Sequence, residues 1–387
     1  MVNPAPLPPR DPRLRSSVIV LVLVTLVFTA AALTAFIEKA SNDLLVEIRE
    51  ADSQRLRQEA FSAMEVTLAV LEDFRQADNG LHSTAEGWGD PLAWAGWSPS
   101  EGRTVEVTFE DESGKIPLAH ADLTTLTNLF EYWQIPPSDA AKLADSIAGW
   151  MQSGYVYSTA LTLDYQNAEI PYAEPQRPMR TLSELAAVDT AKDVFFDENG
   201  LPNGLYWRFV KDVSIFTYTQ PNSNAANADV LAAAGQYTDV QQGHIQDYLN
   251  GTGQYAQEGK QWFLNTTTLA AVAGVGGNST VFGITITALR VNITVREGRS
   301  EYRLSAVVAP QGGATVNTAN ATNATSAANS SSVSATTSVT STSQPASTAT
   351  AAATAAAASQ SINYPFTVLE MVENDEIPQP PPPIPQT

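Results

Sequence analysis

Three histidines and two acidic clusters are the first places to look for chemistry in this chain. His82, His120 and His244 lie far apart, and none belongs to a zinc-binding spacing such as HExxH. His82 reads as part of a polar loop, His120 as the start of a helix and His244 as a position within another. Each is expected to be solvated or capping. Glu110-Asp111-Glu112 ends a strand, and Asp193 to Gly200 places carboxylates beside a glycine turn. Calcium takes about six to eight oxygens, and neither cluster has the alternating acids of an EF-hand loop. Solvated turns are expected at both. No nucleophile elbow, phosphate-cradling loop or dinucleotide fingerprint occurs, and Gly274-Val-Gly-Gly277 reads as a turn. The residues nominate no catalytic group, cofactor site or metal ligand, and an enzyme is not expected.

The elements that position these side chains begin with an anchor. Ser16 to Ile37 carries no charge, and Arg10, Arg13 and Arg15 precede it. At about 1.5 Å per residue such a helix crosses a hydrocarbon core roughly 30 Å thick. The arginines should hold the N-terminus in the cytoplasm, with the acidic flank (Glu38, Asp43, Glu47) translocated. A cleaved signal is the competing reading, but the apolar run exceeds the usual signal core and the helical pattern continues beyond it. No Pro or Gly interrupts until Gly80, so one helix from about Ser17 to Gln76 is expected. Its second half carries the stripe Leu56, Ala60, Met64, Leu68 and Leu71.

Composition narrows the partners. The net charge is −20 over 387 residues, and the leader is basic, so the exported part is strongly acidic. Such a surface repels phosphate backbones, which excludes nucleic acid as the expected partner. Cys is absent, so an exported domain must rely on its core, or on metal, and not on disulfides.

Residues 78–102, rich in Gly, Pro and Trp, read as a loop that sets aromatic anchors on the long helix. Thr104 to Glu110 alternates as a half-buried strand. Asp122 to Met151 is helical with a break at Pro136-Pro137 and Ser138 as N-cap. Thr181-Leu-Ser-Glu184 predicts a helix with a capping box. Tyr206 to Phe216 reads as strand or extended chain, and Asn224 to Ala234 and His244 to Asn250 as helices. Strands return at Ile284 to Thr287, Leu289 to Val295 and Glu301 to Val308, with a turn at Glu297-Gly298. The uncharged Ser/Thr/Ala tract between Pro310 and Tyr364 should be disordered. Phe366 to Val372 alternates again, and PQPPPPIPQT is a polyproline II tail.

These pieces, in this order, resemble the type IV pilin-like proteins, and specifically the minor pseudopilin K of the type II secretion system. The segments that carry the resemblance are Arg15-Ser-Ser-Val-Ile-Val, VEVTFEDESGKIPLAHAD (105–122), AAKLADSIAGWM (140–151), Pro178 to Leu185, and NSNAANADVLAAA (222–234), with the strands from Phe282 onward. Departures mark a divergent member. Ser16 stands where the family has the Gly before the leader-peptidase cut, between Ser16 and Ser17. Leu21 occupies the position of the usual pilin Glu, which this family characteristically lacks. The family's I-N-V-N-T-A-P is eroded to S-N-A-A-N-A. Gly149 and Gln152 replace acids of the family's D-W-I-D, so its calcium ligands do not carry over and calcium itself stays open.

The resemblance implies an α+β, pilin-like fold: a long N-terminal helix packed on an antiparallel sheet, with a large helical insertion. The expected division is a leader (1–15), a transmembrane helix (16–37), its amphipathic extension (38–77) and a first pilin-like part (78–118). A helical inserted domain (119–275), a sheet hairpin (276–310), a disordered insertion (311–363), a last strand (364–373) and a Pro-rich tail (374–387) complete it. It also implies an inner-membrane, single-pass protein with a periplasmic domain. Its partners would be the other minor pseudopilins and the inner-membrane secretion platform, at a pseudopilus tip whose assembly it helps initiate. A minor pilin of a type IV pilus or competence system, or a membrane-anchored periplasmic hydrolase, are the alternatives.

Overall fold

The computed structural model describes residues 12–316 apart from 162, 164 and 169, together with 365–374 and 377. The Ser/Thr/Ala tract from 317 on, the first eleven residues and nearly all of the Pro-rich tail lie outside them. Helix α1 (Pro12–Asp78) runs unbroken, because neither Pro nor Gly occurs in its interior. Its first half contains a stretch, Val20–Leu44, long and apolar enough to cross a membrane, with none of it buried in the protein. The hydroxyls of Thr25, Thr29 and Thr34 donate to carbonyls three or four residues back, so they bring no unpaired polar group into that stretch.

After the short α2 (Pro91–Trp94) come β1 (Arg103–Asp111), β2 (Ile116–Pro117), α3 (Leu123–Tyr132), α4 (Pro137–Met151), α5 (Asp189–Phe195) and α6 (Gly204–Asp212). The order continues with β3 (Val213–Ser214), α7 (Ala228–Gly235), α8 (Asp239–Asn250), α9 (Thr266–Ala273), β4 (Leu289–Glu297), β5 (Ser300–Pro310) and β6 (Phe366–Glu373). The main sheet is antiparallel in the order β1-β4-β5-β6, and β2 and β3 form a small parallel pair. Everything from β2 to α9 is therefore inserted between two neighbouring strands of one sheet. The fold class is as the sequence implied.

Two main cores result. In the first, Leu56, Ala60, Met64, Leu68 and Leu71 of α1 pack on Leu289, Val291, Ile293 and Val295 of β4 and on Tyr302, Leu304 and Ala306 of β5. Period 3.6 on the helix meets period 2 on the strands, and both faces are consumed. Trp88 is completely buried over Phe109, with ring centroids 5.1 Å apart. Arg57 of α1 fastens the edge strand by a bidentate pair to Glu373, at 2.8 and 3.0 Å. The second core is aromatic: Phe130, Phe195, Phe209 and Trp133 from α3, α5 and α6, with Phe209 centred 5.0 Å from Phe195 and 6.1 Å from Phe130.

Several local expectations are corrected. Tyr206 to Phe216 is mostly the helix α6, because Asn203 caps it by accepting from the N–H groups of Leu205 and Tyr206. The cap of α4 is Pro136, with Pro137 in the first turn, and Ser138 lies inside the helix. Thr181 makes no capping bond; its segment is a 3-10 turn, Leu182–Ala187, and Glu184 instead accepts from Arg180 N–H and pairs with Arg177. Ile284 to Thr287 joins no strand of the main sheet.

Candidate functional site

The segment that joins the two cores is Asp111-Glu-Ser-Gly-Lys115, which leaves β1 and enters the insertion through β2. Ser113 donates its N–H to Ala288 O and accepts from Thr287 N–H through Oγ, which ties the turn to the start of β4. Its own carbonyl accepts from Asn222 N–H at 2.6 Å. Gly114 is required by space: a Cβ there would stand 2.8 Å from Ala225 Cβ and 2.9 Å from that residue's backbone. The family-like segments 105–122 and 222–234 are thus in direct contact.

Asparagines do the joining. Asn222 donates from Nδ2 to Asp111 Oδ2 at 2.7 Å and to His82 O at 3.3 Å. Asn224 donates to Phe263 O and Ile284 O and accepts from Phe263 N–H. Asn227 caps α7 and donates to Asp212. The run that departs from the family pattern therefore keeps three working amides. Its spacing of Asn residues was the available signal.

Charge is concentrated here. Glu112 is buried between Lys115 Nζ at 3.1 Å and Arg290 Nε at 2.7 Å, while Lys115 also meets Glu110 and Arg290 meets Glu370. Burial alone would lower the Lys115 ammonium; the carboxylates of Glu112 and Glu110 outweigh it and hold the group above its ordinary value. Burial pushes Asp111 up to about 6, against the hydrogen bonds from Ser113 and Asn222 that favour its ionised form. The solvated turn expected at Glu110-Asp111-Glu112 is corrected for Asp111 and Glu112, whose side chains are the polar centre of the junction, while Glu110 stays exposed at its edge. Tyr218 Oη lies 2.7 Å from Glu112 O and 2.8 Å from Lys115 O, closing the turn from below.

His82 is likewise not solvated. It is 6 % exposed, and its Nδ1 lies 2.5 Å from Glu86 Oε1, while Glu86 also accepts from the Trp88 indole N–H. The pair fixes the turn that comes after α1 and faces no cleft chemistry. His120 and His244 are exposed. Asp197 caps its own turn, accepting from the N–H groups of Asn199 and Leu201.

The loop after α4 bears on calcium. Asp145 accepts from Tyr155 and from both the N–H and hydroxyl of Ser158 and Thr159, which uses both carboxylate oxygens. Burial would raise this carboxyl, but those donors lower it below the ordinary value. The Tyr157 ring lies over Gly149 so closely that a Cβ would collide with its Oη, and that hydroxyl donates to Glu174. Tyrosine and hydroxyl groups thus surround Gly149, one of the positions where an acid of the D-W-I-D pattern is replaced. Among the described residues no group of three or more His, Cys, Asp or Glu could hold a metal ion. Asp164 and Glu169 of this loop lie outside the described residues.

Ser16 and Ser17 fall within α1, where their side chains are not described, and Leu21 is exposed on the apolar stretch.

Residues 109–196 match the family model for the type II secretion system (T2SS) protein K. The match begins in β1, covers the junction turn and ends just past α5, so it falls on segments that carry the resemblance. A chain of the crystal structure of the GspK-GspI-GspJ complex from the enterotoxigenic Escherichia coli type 2 secretion system is 17 % identical, with a TM-score of 0.46 over 68 % of this chain and 93 % of that one. A comparison with curated proteins found no match.

Proposed function

We propose that this chain, which carries the protein K signature of the type II secretion system across its junction and first helices, is a minor pseudopilin acting at the tip of a short periplasmic pseudopilus. The observation that supports this most directly is the place of the matched segment. It forms the start of a mostly helical insertion set between two neighbouring strands of the sheet that α1 packs against.

A subunit of this shape takes the last place in a stack for two reasons. Leu21 stands where a stacking pilin would present a carboxylate to the amine of the subunit above, and a terminal subunit has none above it. The inserted helices add bulk beside the sheet that a further subunit would have to displace. Its partners are then the other minor pseudopilins, met through the membrane half of α1, because the stripe from Leu56 to Leu71 is already consumed by its own sheet. The platform in the inner membrane is the second partner, and the arginines before Ser16 keep the N-terminus cytoplasmic. Cleavage between Ser16 and Ser17 belongs to the same reading.

Co-purification of the full chain with the other two minor pseudopilins from membranes tests it, together with export after deletion of the gene. A ternary complex and lost export are expected. A stable homopolymer of this chain alone, or normal export without it, overturns the proposal.

A further inference from the structure

The main sheet has two edges, and they differ. At one, β6 slips register against β5 between Val307 and Val308, and its last residue, Glu373, is held by Arg57. At the other, β1 runs in unbroken register with β4 from Arg103 to Asp111, without Pro, Gly or bulge. Bulges and prolines are the usual devices that keep a further strand off an edge, and β1 has neither. The turn Gly298-Arg299 makes Glu297 and Ser300 a hydrogen-bonded pair. Alternation from there turns the N–H and C=O groups of Thr104, Glu106, Thr108 and Glu110 towards β4, and those of Val105, Val107 and Phe109 outward. Arg103, in phase with the outward set, gives its N–H to Ser100 O. Among the described residues no backbone group bonds to Val105, Val107 or Phe109 from outside the sheet.

The side chains of this edge also alternate. Val105, Val107 and Phe109 are half-buried at the margin of the core under α1, where burial stops for want of a neighbouring strand. Thr104, Glu106, Thr108 and Glu110 are exposed on the other face. Arg103, the one cation of β1, is bound to Glu59 and Glu297. Glu106 holds Arg296 and Glu110 holds Lys115, with Arg290 and Lys211 further from Glu110. Both carboxylates nevertheless keep about half of their side chains in water, 60 and 47 %. A carboxylate has about four acceptor sites, so each can take a second cation.

We propose that the open edge of β1 is a docking site for an extended segment of another protein, which adds a fifth strand to the sheet. Its side chains alternate: aliphatic beside Val105, Val107 and Phe109, and Lys or Arg beside Glu106 and Glu110. Main-chain bonds hold such a strand, and the alternate side chains select it. The net charge of −20 draws in a basic segment and repels a second copy of this chain. The proposal does not depend on the secretion role.

The peptide Lys-Val-Thr-Val-Lys-Ile-Thr, compared with a counterpart carrying Glu for both Lys, tests this by amide hydrogen exchange on the full chain in detergent, resolved to single residues. At millimolar concentration the Lys peptide should slow Val105, Val107 and Phe109 about tenfold and leave Glu106 and Thr108 unchanged. The Glu peptide should have little effect. Val107→Pro removes an outward N–H and should abolish the slowing, with retained protection in β4 and β5 showing that the sheet still folds. Glu106→Lys keeps every main-chain group and should weaken the Lys peptide while favouring the Glu peptide. Equal slowing by the two peptides, or none by the Lys peptide, overturns the proposal. So does slowing that survives Val107→Pro in a folded sheet. Slow exchange of the outward amides without peptide also overturns it, since the edge would then be filled by the chain itself or, where the effect grows with protein concentration, by a second copy.

Discussion

Beneath the sheet, one helix stripe and alternate residues of the strands make a mainly aliphatic core. In the insertion, short helices bury an aromatic core, and four of them depend on Asn or Asp side chains at their N-termini. Asp122, Asn203, Asn227 and Asn265 cap α3, α6, α7 and α9, and Asp145 alone gathers five donors. The two halves differ in what holds the backbone between buried residues. A sheet satisfies its own backbone through its ladder, whereas each short helix leaves four N–H groups at its N-terminus and four C=O groups at its C-terminus to be met by other groups. The insertion should therefore be sensitive to single polar substitutions that the sheet would tolerate.

The largest expected effect comes from Phe209→Ala. Phe209 is fully buried against Phe130, Phe195 and Trp133, and the substitution should cost about 3–5 kcal/mol, confined to the insertion. Hydrogen exchange should show lost protection in α3 to α6 and retained protection in β4 and β5. Protection lost equally in both would mean that the halves are one cooperative unit.

Glu112→Gln strikes the junction. It leaves Lys115 and Arg290 with only their outer partners, Glu110 and Glu370, and should cost about 3 kcal/mol, because two buried cations lose the carboxylate they share. Here both sets of amides should lose protection together, in contrast to Phe209→Ala. Gly114→Ala should act in the same place through overpacking against Ala225, costing about 1–3 kcal/mol.

Asp145→Ala is expected to free the loop after α4, at about 1–3 kcal/mol for its unpaired donors, most of which can turn to water. Limited proteolysis should then cut within 152–180 while the sheet fragment stays whole. A cut pattern like the parent's would show that the loop is held by something other than this carboxylate.

The last effect is pH-dependent, and its size is set by the pH interval spanned. Burial raises the Asp212 carboxyl above its ordinary range, and Asp229 beside it is held low by Arg208 despite its own burial. A carboxyl with a raised folded pKa keeps its proton in the folded chain when the unfolded chain has released it. The folded state is thus weakened as pH climbs above about 4, with no such penalty below both values. Asp212→Asn removes that proton release, so the variant should gain on the parent with rising pH, by at most about 1.4 kcal/mol per pH unit. Denaturant titrations at pH 4.5 and 7.5 decide it. A constant difference between the two chains at both pH values would show that Asp212 ionises normally.

Much of this was open to the sequence, and for definite reasons. A run from Arg13 to Asn79 without Pro or Gly, apolar then amphipathic, favours one long helix. Leu56, Ala60, Met64, Leu68 and Leu71 named its buried stripe because a helix repeats its face every three or four residues. β1, β4, β5 and β6 were readable because alternation survives wherever one face of a strand is buried and the other is not. The polar junction was not readable. Asp111 and Glu112 look like solvated residues in one dimension, since their neighbours in the chain are polar and their partners Asn222, Arg290 and Tyr218 come from far along it. Tyr206 to Phe216 misled because its aromatic and branched residues favour a strand locally, while the Asn203 cap and burial of Phe209 among Phe130 and Phe195 make it a helix. Local period and cap chemistry belong to the sequence; which charges become buried, and against what, is settled only when distant segments close on one another and remove the water between them.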